Sequence, residues 1–253
     1  CGQKPKWLKA HSKISIVAHK DIFRKEADLP TFNSMAIEAN LHHIQGLSEY
    51  YLYFNDDVFL TRPMTESDFF TKEGKARIFL SKHPLENGPP LPSDNGFYAA
   101  NKNTADLLRL VFGSEKRFLQ AHTPFPGKVS ISTRAERMFP NVFQQVSSHR
   151  FRSQNDFTIT NGIIPYVAVE SGLGEASSAD SHTWNFGEDS EKDGKVAQHI
   201  LASPPQFLCI QDALKEDKGA EKAARFLKQF LQSLFPHPAP WEDGALSPPG
   251  RGE

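Results

Sequence analysis

The chain has 253 residues, with 29 Lys and Arg against 30 Asp and Glu and a formal net charge of -1, a balance that gives no reason to expect a polyanion such as nucleic acid as partner. Its 20 phenylalanines exclude a disordered chain and imply a domain able to bury a real core, while no apolar run is long enough to span a membrane as a helix. The two cysteines, Cys1 and Cys209, have neither metal-ligand spacing nor the makings of a disulfide framework, which suits a reducing compartment.

Residues 1–12 read as the end of a loop entering a domain. They start at Cys rather than Met and do not resemble a signal peptide, which implies a fragment with a missing beginning. Lys13 to His19 alternates and predicts a short strand. Asp21 to Pro30 is a charged, irregular loop closed by Pro30. Asn33 and Ser34 are then candidate helix caps, Glu38 falls in the first turns, and Ile37, Leu41 and Ile44 follow i, i+4, i+7, with Gly46 as the stop. The aromatic run Tyr50–Phe54 predicts a buried strand, completing a strand, loop, helix, strand unit of about βαβ size.

Further along, Ala76–Ser81 reads as a strand and 84–92 as a Pro- and Gly-rich loop. Gly96–Ala100 is short and apolar. Asn103–Phe112 predicts a helix capped by Asn103 and stopped by Gly113. A helical stretch follows His122-Thr123-Pro124-Phe125-Pro126 and runs to about Met138. Pro165 would kink or end any helix in 156–169. Gly172–Asp193 is small, polar and acidic and reads as an excursion or lid. Gln206–Ile210 predicts a late strand, Ala220–Phe235 an amphipathic helix, and 236–253 a disordered Pro- and Gly-rich tail. The fold class expected is α/β, with a mostly parallel sheet flanked by helices.

Three stretches carry candidate chemistry. Asn55-Asp56-Asp57 places two carboxylates and an amide after the Tyr50–Phe54 strand, at the rim where open α/β sheets bind ligands, and such oxygens suit a divalent cation that bridges phosphates. On its own the tripeptide reads better as a turn. His122 precedes a proline-bracketed segment that would fix its ring, and histidine is the usual general base for a hydroxyl nucleophile; alone it is more simply a loop histidine. His149-Arg150-Phe151-Arg152 could set a guanidinium on a phosphate, although an isolated basic run is more often solvated. His42 and His43 read as packing or surface groups. There is no GxGxxG, no P-loop and no serine-centred elbow.

The run Leu29-Pro30-Thr31-Phe32-Asn33-Ser34, Ile37-Glu38, Ile44 to Ser48 and Tyr53-Phe54-Asn55-Asp56-Asp57 resembles the second conserved region of the Stealth family. That family includes bacterial capsule hexose-1-phosphate polymerases and the Golgi enzyme that adds N-acetylglucosamine-1-phosphate to lysosomal hydrolases. By this resemblance 13–70 is region 2, 95–145 region 3 and 146–175 region 4, in a single domain over 1–235. The stretches Phe207–Asp212 and Phe235–Glu242 resemble the family's endings more loosely. The family's first region, a strand of the type Asp-Val-Val-Tyr-Thr-Trp-Val-Asp, is absent, so the fragment either lost it or belongs to an inactive protein.

The resemblance implies a nucleotide-sugar-transferase-like fold and transfer of a sugar-1-phosphate from a nucleotide-sugar to an acceptor hydroxyl, on a sugar or growing glycan. It makes His122 the catalytic histidine, Arg152 a phosphate-contacting arginine, and Asp57 with Asp56 the ligands of a divalent metal, Mg or Mn. It assigns Asn33, Ser34, Glu38 and Asn55 to donor binding. The location implied is cytoplasmic, including peripheral association of the full protein with the inner face of a membrane. Two other readings stay open: a metal-dependent glycosyltransferase that moves the sugar alone, and a truncated, non-catalytic binding module.

Overall fold

The computed structural model describes residues 4–113, 115–214 and 219–242. Helix α1 (Ser34–Glu38) leads through a 3-10 turn at Leu41–His43 to strand β1 (Tyr50–Tyr53), and a tight turn separates β1 from β2 (Val58–Leu60). Then come β3 (Ala76–Pro84), α2 (Gly96–Phe112), β4 (Phe118–Gln120), β5 (Phe125–Lys128), α3 (Val129–Met138) and α4 (Pro140–Ser148). A π-helical turn at Ile159–Ile163 enters α5 (Ile164–Glu170), and β6 (Gly174–Ser177), β7 (Ser181–Phe186), α6 (Ser190–Ala202), β8 (Phe207–Asp212) and α7 (Ala220–Leu234) complete the order.

The α/β class holds, but a mostly parallel sheet does not. The strands form three small sheets, β1-β5, β2-β8-β7 and β4-β3-β6. The β1-β5, β2-β8 and β3-β4 pairs are antiparallel, while β3-β6 and β7-β8 are parallel. Parallel neighbours need a helical crossover. Only β7-α6-β8 makes one between strands adjacent in sequence, and partners brought from distant parts of the chain are free to run in either direction.

Four local expectations also change. Lys13–His19 is irregular rather than a strand, because its alternating residues find no partner strand: Ile16 is 56% and Val17 39% exposed. No βαβ unit therefore precedes β1, which pairs with β5 alone and is half-buried rather than buried. Helix α2 begins at Gly96, so Gly96–Ala100 is its first turns. Its cap is Asn95, whose side chain accepts from Phe97 N and Tyr98 N at 3.0 Å, while Asn103 lies inside the helix. Residues 172–193 are no excursion. They supply β6 and β7, and β7 alternates exposed and buried positions as a strand with one solvated face should.

Pro165 sits in the first turn of α5, where its missing N–H costs no hydrogen bond. Helix α7 matches its expected span almost residue for residue. Of the tail read as disordered, 236–242 folds back on the entry segment, with Lys9 N donating to Trp241 O at 2.8 Å and Leu8 bridging Glu242. Residues 243–253, like Cys1, lie outside the described residues.

Strand β8 stands between two apolar clusters. Phe207 packs with Phe79 (5.3 Å between ring centroids), Phe69 and Ile78 in the larger one. Leu208 and Ile210 join Trp184, Phe186, Ile200 and Phe230 in the smaller. Successive strand residues face opposite sides, so Phe207, Cys209 and Gln211 share one face. Each large apolar side chain buried this way contributes about 1.5–3 kcal/mol. That packing fixes where the two polar members of the face, Cys209 and Gln211, must point.

Candidate active site

Asn55-Asp56-Asp57 forms the turn between β1 and β2, so the turn reading of this tripeptide is the right description of its backbone. The turn is pinned to β8, because Ile210 N donates to Asp57 O at 2.9 Å and Val58 pairs with Cys209. His122 arrives from the other side, at the centre of a three-residue turn closed by Thr123 N donating to Ala121 O at 2.9 Å. Ala121 N in turn donates to Phe79 O of β3 at 2.9 Å, which anchors the turn in the core. The proline-bracketed segment behind it is β5. Pro126 is tolerated there because β5 has a partner on one side only.

At the junction, the Cys209 thiol donates to Asp57 Oδ2 at 3.4 Å and lies 3.6 Å from His122 Nδ1. Gln211 Nε2 donates to the same Nδ1 at 3.1 Å. One ligand atom each from Asp57, His122 and Cys209 lies within 4.8 Å of the others. Burial, and then the neighbouring Asp57 carboxylate, push the Cys209 thiol up to about 12, so the sulfur keeps its proton. A protonated thiol is a poor metal ligand. The other carboxylate oxygen, Asp57 Oδ1, is buried with no hydrogen-bond partner. A hard cation that takes oxygen ligands fits that orphaned atom, with the exposed Asp56 beside it.

A second set of groups runs from this junction toward Arg152. Tyr53, two residues before Asn55, donates its hydroxyl to Glu38 Oε1 at 3.4 Å. Burial raises the Tyr53 pKa, and the charges of Glu38, Asp56 and Asp57 raise it further, so the phenol stays protonated. Glu38 is itself buried and takes the Thr160 hydroxyl on Oε2 at 2.5 Å. Burial raises its pKa, against hydrogen bonds from Thr160 and Tyr53 and the positive charge of Arg152. Arg152 donates to Ser34 Oγ at 3.3 Å, and its backbone seats against Gly96, where an added Cβ would lie 3.0 Å from Arg152 Cβ.

Asn33 has a different place. It is fully buried, its Oδ1 accepts from Met35 N at 3.1 Å and its Nδ2 donates to Asp156 Oδ2 at 3.0 Å. Asp156, also fully buried, accepts from Ser153 N at 2.7 Å and pairs with His149 Nδ1 at 2.6 Å. Both ends of the Asn33 amide are thus spent inside the fold, tying α1 to the segment that carries Arg152. His42 is buried and His43 half-buried, and with Glu136 they make a group whose possible ligand atoms lie within 4.8 Å of one another. They converge on Glu136 Oε2 at 3.0 and 3.4 Å, and Arg24 already supplies a cation to that oxygen at 2.8 Å.

Two clefts meet at the junction. One, of about 660 Å³, is bordered by His122 and Asn55 and lined deeper by Asn101 and Gln120. The other, of about 580 Å³, holds Asp56, Asp57, Gln211 and Asp212. Asp57 and His122 therefore come together, while Arg152 lines neither cleft and stands at the Ser34 and Glu38 end. The sequence does not single out Cys209, Gln211, Tyr53, Thr160 and Asn101 as site residues, although the first three lie in stretches that carry the family resemblance. For the first two the clue was available, since a strand of alternating polarity must turn Cys209 and Gln211 to one face.

Three models of one family match the chain: Stealth protein conserved region 2 over residues 1–78, conserved region 3 over 121–161 and conserved region 4 over 198–247. His122 thus opens the third region and Arg152 lies within it. The fourth region is the β8–α7 part of the chain and not 146–175. An exopolysaccharide phosphotransferase of Streptomyces coelicolor is 36% identical over 95% of this chain and 41% of its own length. The exopolysaccharide phosphotransferase CpsY of Mycobacterium tuberculosis is 35% identical over 94% and 45%, and one from Nocardia farcinica 32% over 98% and 48%. The chain spans about half the length of these curated relatives.

Proposed function

The chain belongs to the Stealth family, and from that premise we propose that its protein is a phosphotransferase of exopolysaccharide or capsule synthesis. It moves a sugar-1-phosphate from a nucleotide-sugar to an acceptor hydroxyl. The acceptor oxygen bonds to the phosphorus next to the sugar, the bond from that phosphorus to the leaving nucleoside monophosphate breaks, and a phosphodiester results. The observation that carries this reading is the meeting of Asp57 and His122, from separate family regions, against β8, with Asp57 Oδ1 buried and unpartnered.

Phosphoryl transfer asks little covalent chemistry of a protein; it asks for positioning and charge neutralisation. His122 takes the acceptor proton as the hydroxyl attacks. With Gln211 Nε2 donating to Nδ1, the neutral ring carries its proton on Nε2. Turning the Gln211 amide presents its oxygen to an Nδ1–H and frees the Nε2 lone pair, which is the arrangement a base needs. We also assign Arg152, whose planar fork suits phosphate oxygens, to the donor, although it stands outside both clefts at the Ser34 end. Asn55, next to Asp56 where the two clefts approach each other, is assigned to the donor, whereas Glu38 and Asn33 act from behind, Glu38 through Tyr53 and Asn33 through Asp156. Asp57 and Asp56 would hold a Mg or Mn ion, which when bound neutralises phosphate charge.

Among the described residues, no helix is long and apolar enough to cross a membrane. By the family reading we propose a cytoplasmic reaction, which includes peripheral association of the full protein with the inner face of a membrane. Product analysis of the full-length protein tests the reading. A nucleoside monophosphate and a phosphodiester are expected; a nucleoside diphosphate and a glycosidic bond would make it a glycosyltransferase instead.

A further inference from the structure

Beside His122, two carboxamides are buried without hydrogen bonds. Asn101 is 4% exposed, and neither its Oδ1 nor its Nδ2 has a partner. Gln120 is 7% exposed, and its Oε1 has none. Both line the cleft that His122 and Asn55 border. A buried polar group left unpaired costs free energy that an apolar side chain of the same shape would not. Around these two, the fold satisfies its buried polar groups closely: Thr104, one turn along α2 from Asn101, donates to Ala100 O at 2.8 Å and accepts from Thr158 N at 2.9 Å.

We propose that Asn101 and Gln120 form a subsite that reads the hydroxyls of the acceptor saccharide. The proposal rests on the reading of His122 as the base toward the acceptor, and adds to it which residues select that acceptor and what class of molecule it is. A carboxamide offers an acceptor and a donor side by side, which matches neighbouring hydroxyls on a pyranose, each able to give and to take a hydrogen bond. The cleft holds no carboxylate among its described lining residues, and its only charged or titratable groups are Lys82, His83 and His122. A cationic amino sugar finds no counter-charge there. The carboxylates that would hold a divalent cation lie across the junction in the other cleft, and a cation there would draw the diphosphate of the donor to that side and leave this one to the neutral sugar. Until a sugar binds, water can occupy a space of this size and polarity.

The test uses the full-length protein and saturation-transfer NMR with methyl α-D-glucopyranoside, methyl α-D-mannopyranoside and methyl β-D-galactopyranoside, with uridine as comparison. At about 10 mM glycoside even millimolar affinity registers. At least one glycoside is expected to show transfer, and Asn101→Leu and Gln120→Met should each weaken it about tenfold. Because each variant replaces an unpaired polar group by an apolar one, the sugar-free variants should melt no lower than the wild type, and Asn101→Leu higher by about 2 °C or more. No signal from any glycoside overturns the proposal. So does loss of the uridine signal alone in the variants, which would make the cleft a nucleobase site. A lower melting temperature in both variants would make the two residues structural. Binding is read without turnover, so failure here and failure of the phosphotransferase reading are separate results.

Discussion

Gln211 Nε2 and His122 Nδ1 lie 3.1 Å apart, a hydrogen bond between a strand residue and a turn residue separated by 89 positions. As it stands the contact leaves Nδ1 bare, so the neutral ring carries its proton on Nε2, and the amide can serve the other tautomer by turning over. His122→Ala in the full-length protein should lower turnover by about a hundredfold or more, with little change in donor affinity, since the base faces the acceptor. Gln211→Leu, which leaves the ring without its orienting partner, should lower turnover by about tenfold. Steady-state kinetics with the donor varied separate these effects. A His122→Ala protein that loses donor affinity and keeps its turnover would make His122 a binding residue.

Asp57→Asn should abolish transfer and leave the fold intact. The amide still accepts from the Cys209 thiol and keeps the Ile210 backbone bond, but it loses the charge that would hold a cation. Chelation by EDTA should abolish wild-type activity and added Mn or Mg restore it, while the circular dichroism spectrum of the variant stays that of the wild type. Activity of the variant within a few-fold of the wild type would remove Asp57 from the metal site.

Asp156 is the strongest single structural dependence predicted for the region around Arg152. It is fully buried and holds Asn33, Ser153 and His149 at once. Asp156→Ala leaves those donors unpaired and should cost about 3 kcal/mol or more of stability. Denaturant unfolding measures the loss, and a change below about 1 kcal/mol would mean the network relaxes around the gap.

Glu38 gives stability a pH dependence of definite sign. Burial holds its pKa above the usual carboxylate value, although Thr160, Tyr53 and Arg152 pull the other way. The folded protein therefore binds this proton more tightly than the unfolded chain. The stability it contributes is full below the unfolded pKa, about 4.3, and is lost as pH rises through the raised folded value. Glu38→Gln cannot ionise, so its melting temperature should gain on the wild type as pH rises from about 4 to 8. Thermal melts across that range check the sign, and a gap independent of pH would show that Glu38 does not titrate with unfolding.

Much of this was legible in the sequence, and the boundary between what was and was not is physical. Tyr50–Tyr53, Ala76–Ser81, Gln206–Ile210 and Ala220–Phe235 each carry a period or composition that local physics must honour, and each forms the expected element. The Asn55–Asp57 turn and His122, bland on their own, could be singled out through the family resemblance, and the fold brings Asp57 and His122 together. Sheet direction was not legible, because partners such as Val58 and Cys209 are set by tertiary packing and not by neighbours in sequence. Nor was the start of α2, where Asn95 and Asn103 are equally good caps by type. The role of Asn33 was hidden for the same reason: an asparagine before a helix looks alike whether its amide meets solvent, a substrate or a buried aspartate.

The bond from Cys209 to Asp57 closes a loop of 152 residues, and that has a consequence for how the protein comes to life. Contacts so far apart in sequence form late, after local elements have been made, and a ribosome delivers β8 long after β1 and β2 are out of the exit tunnel. A chain stopped before Phe207 would hold Asp57, His122 and Arg152 but leave β2 unpaired and β7 without its neighbour. Its edge strands would be open to other chains. Chemistry and protection from aggregation are thus switched on by the same late strand.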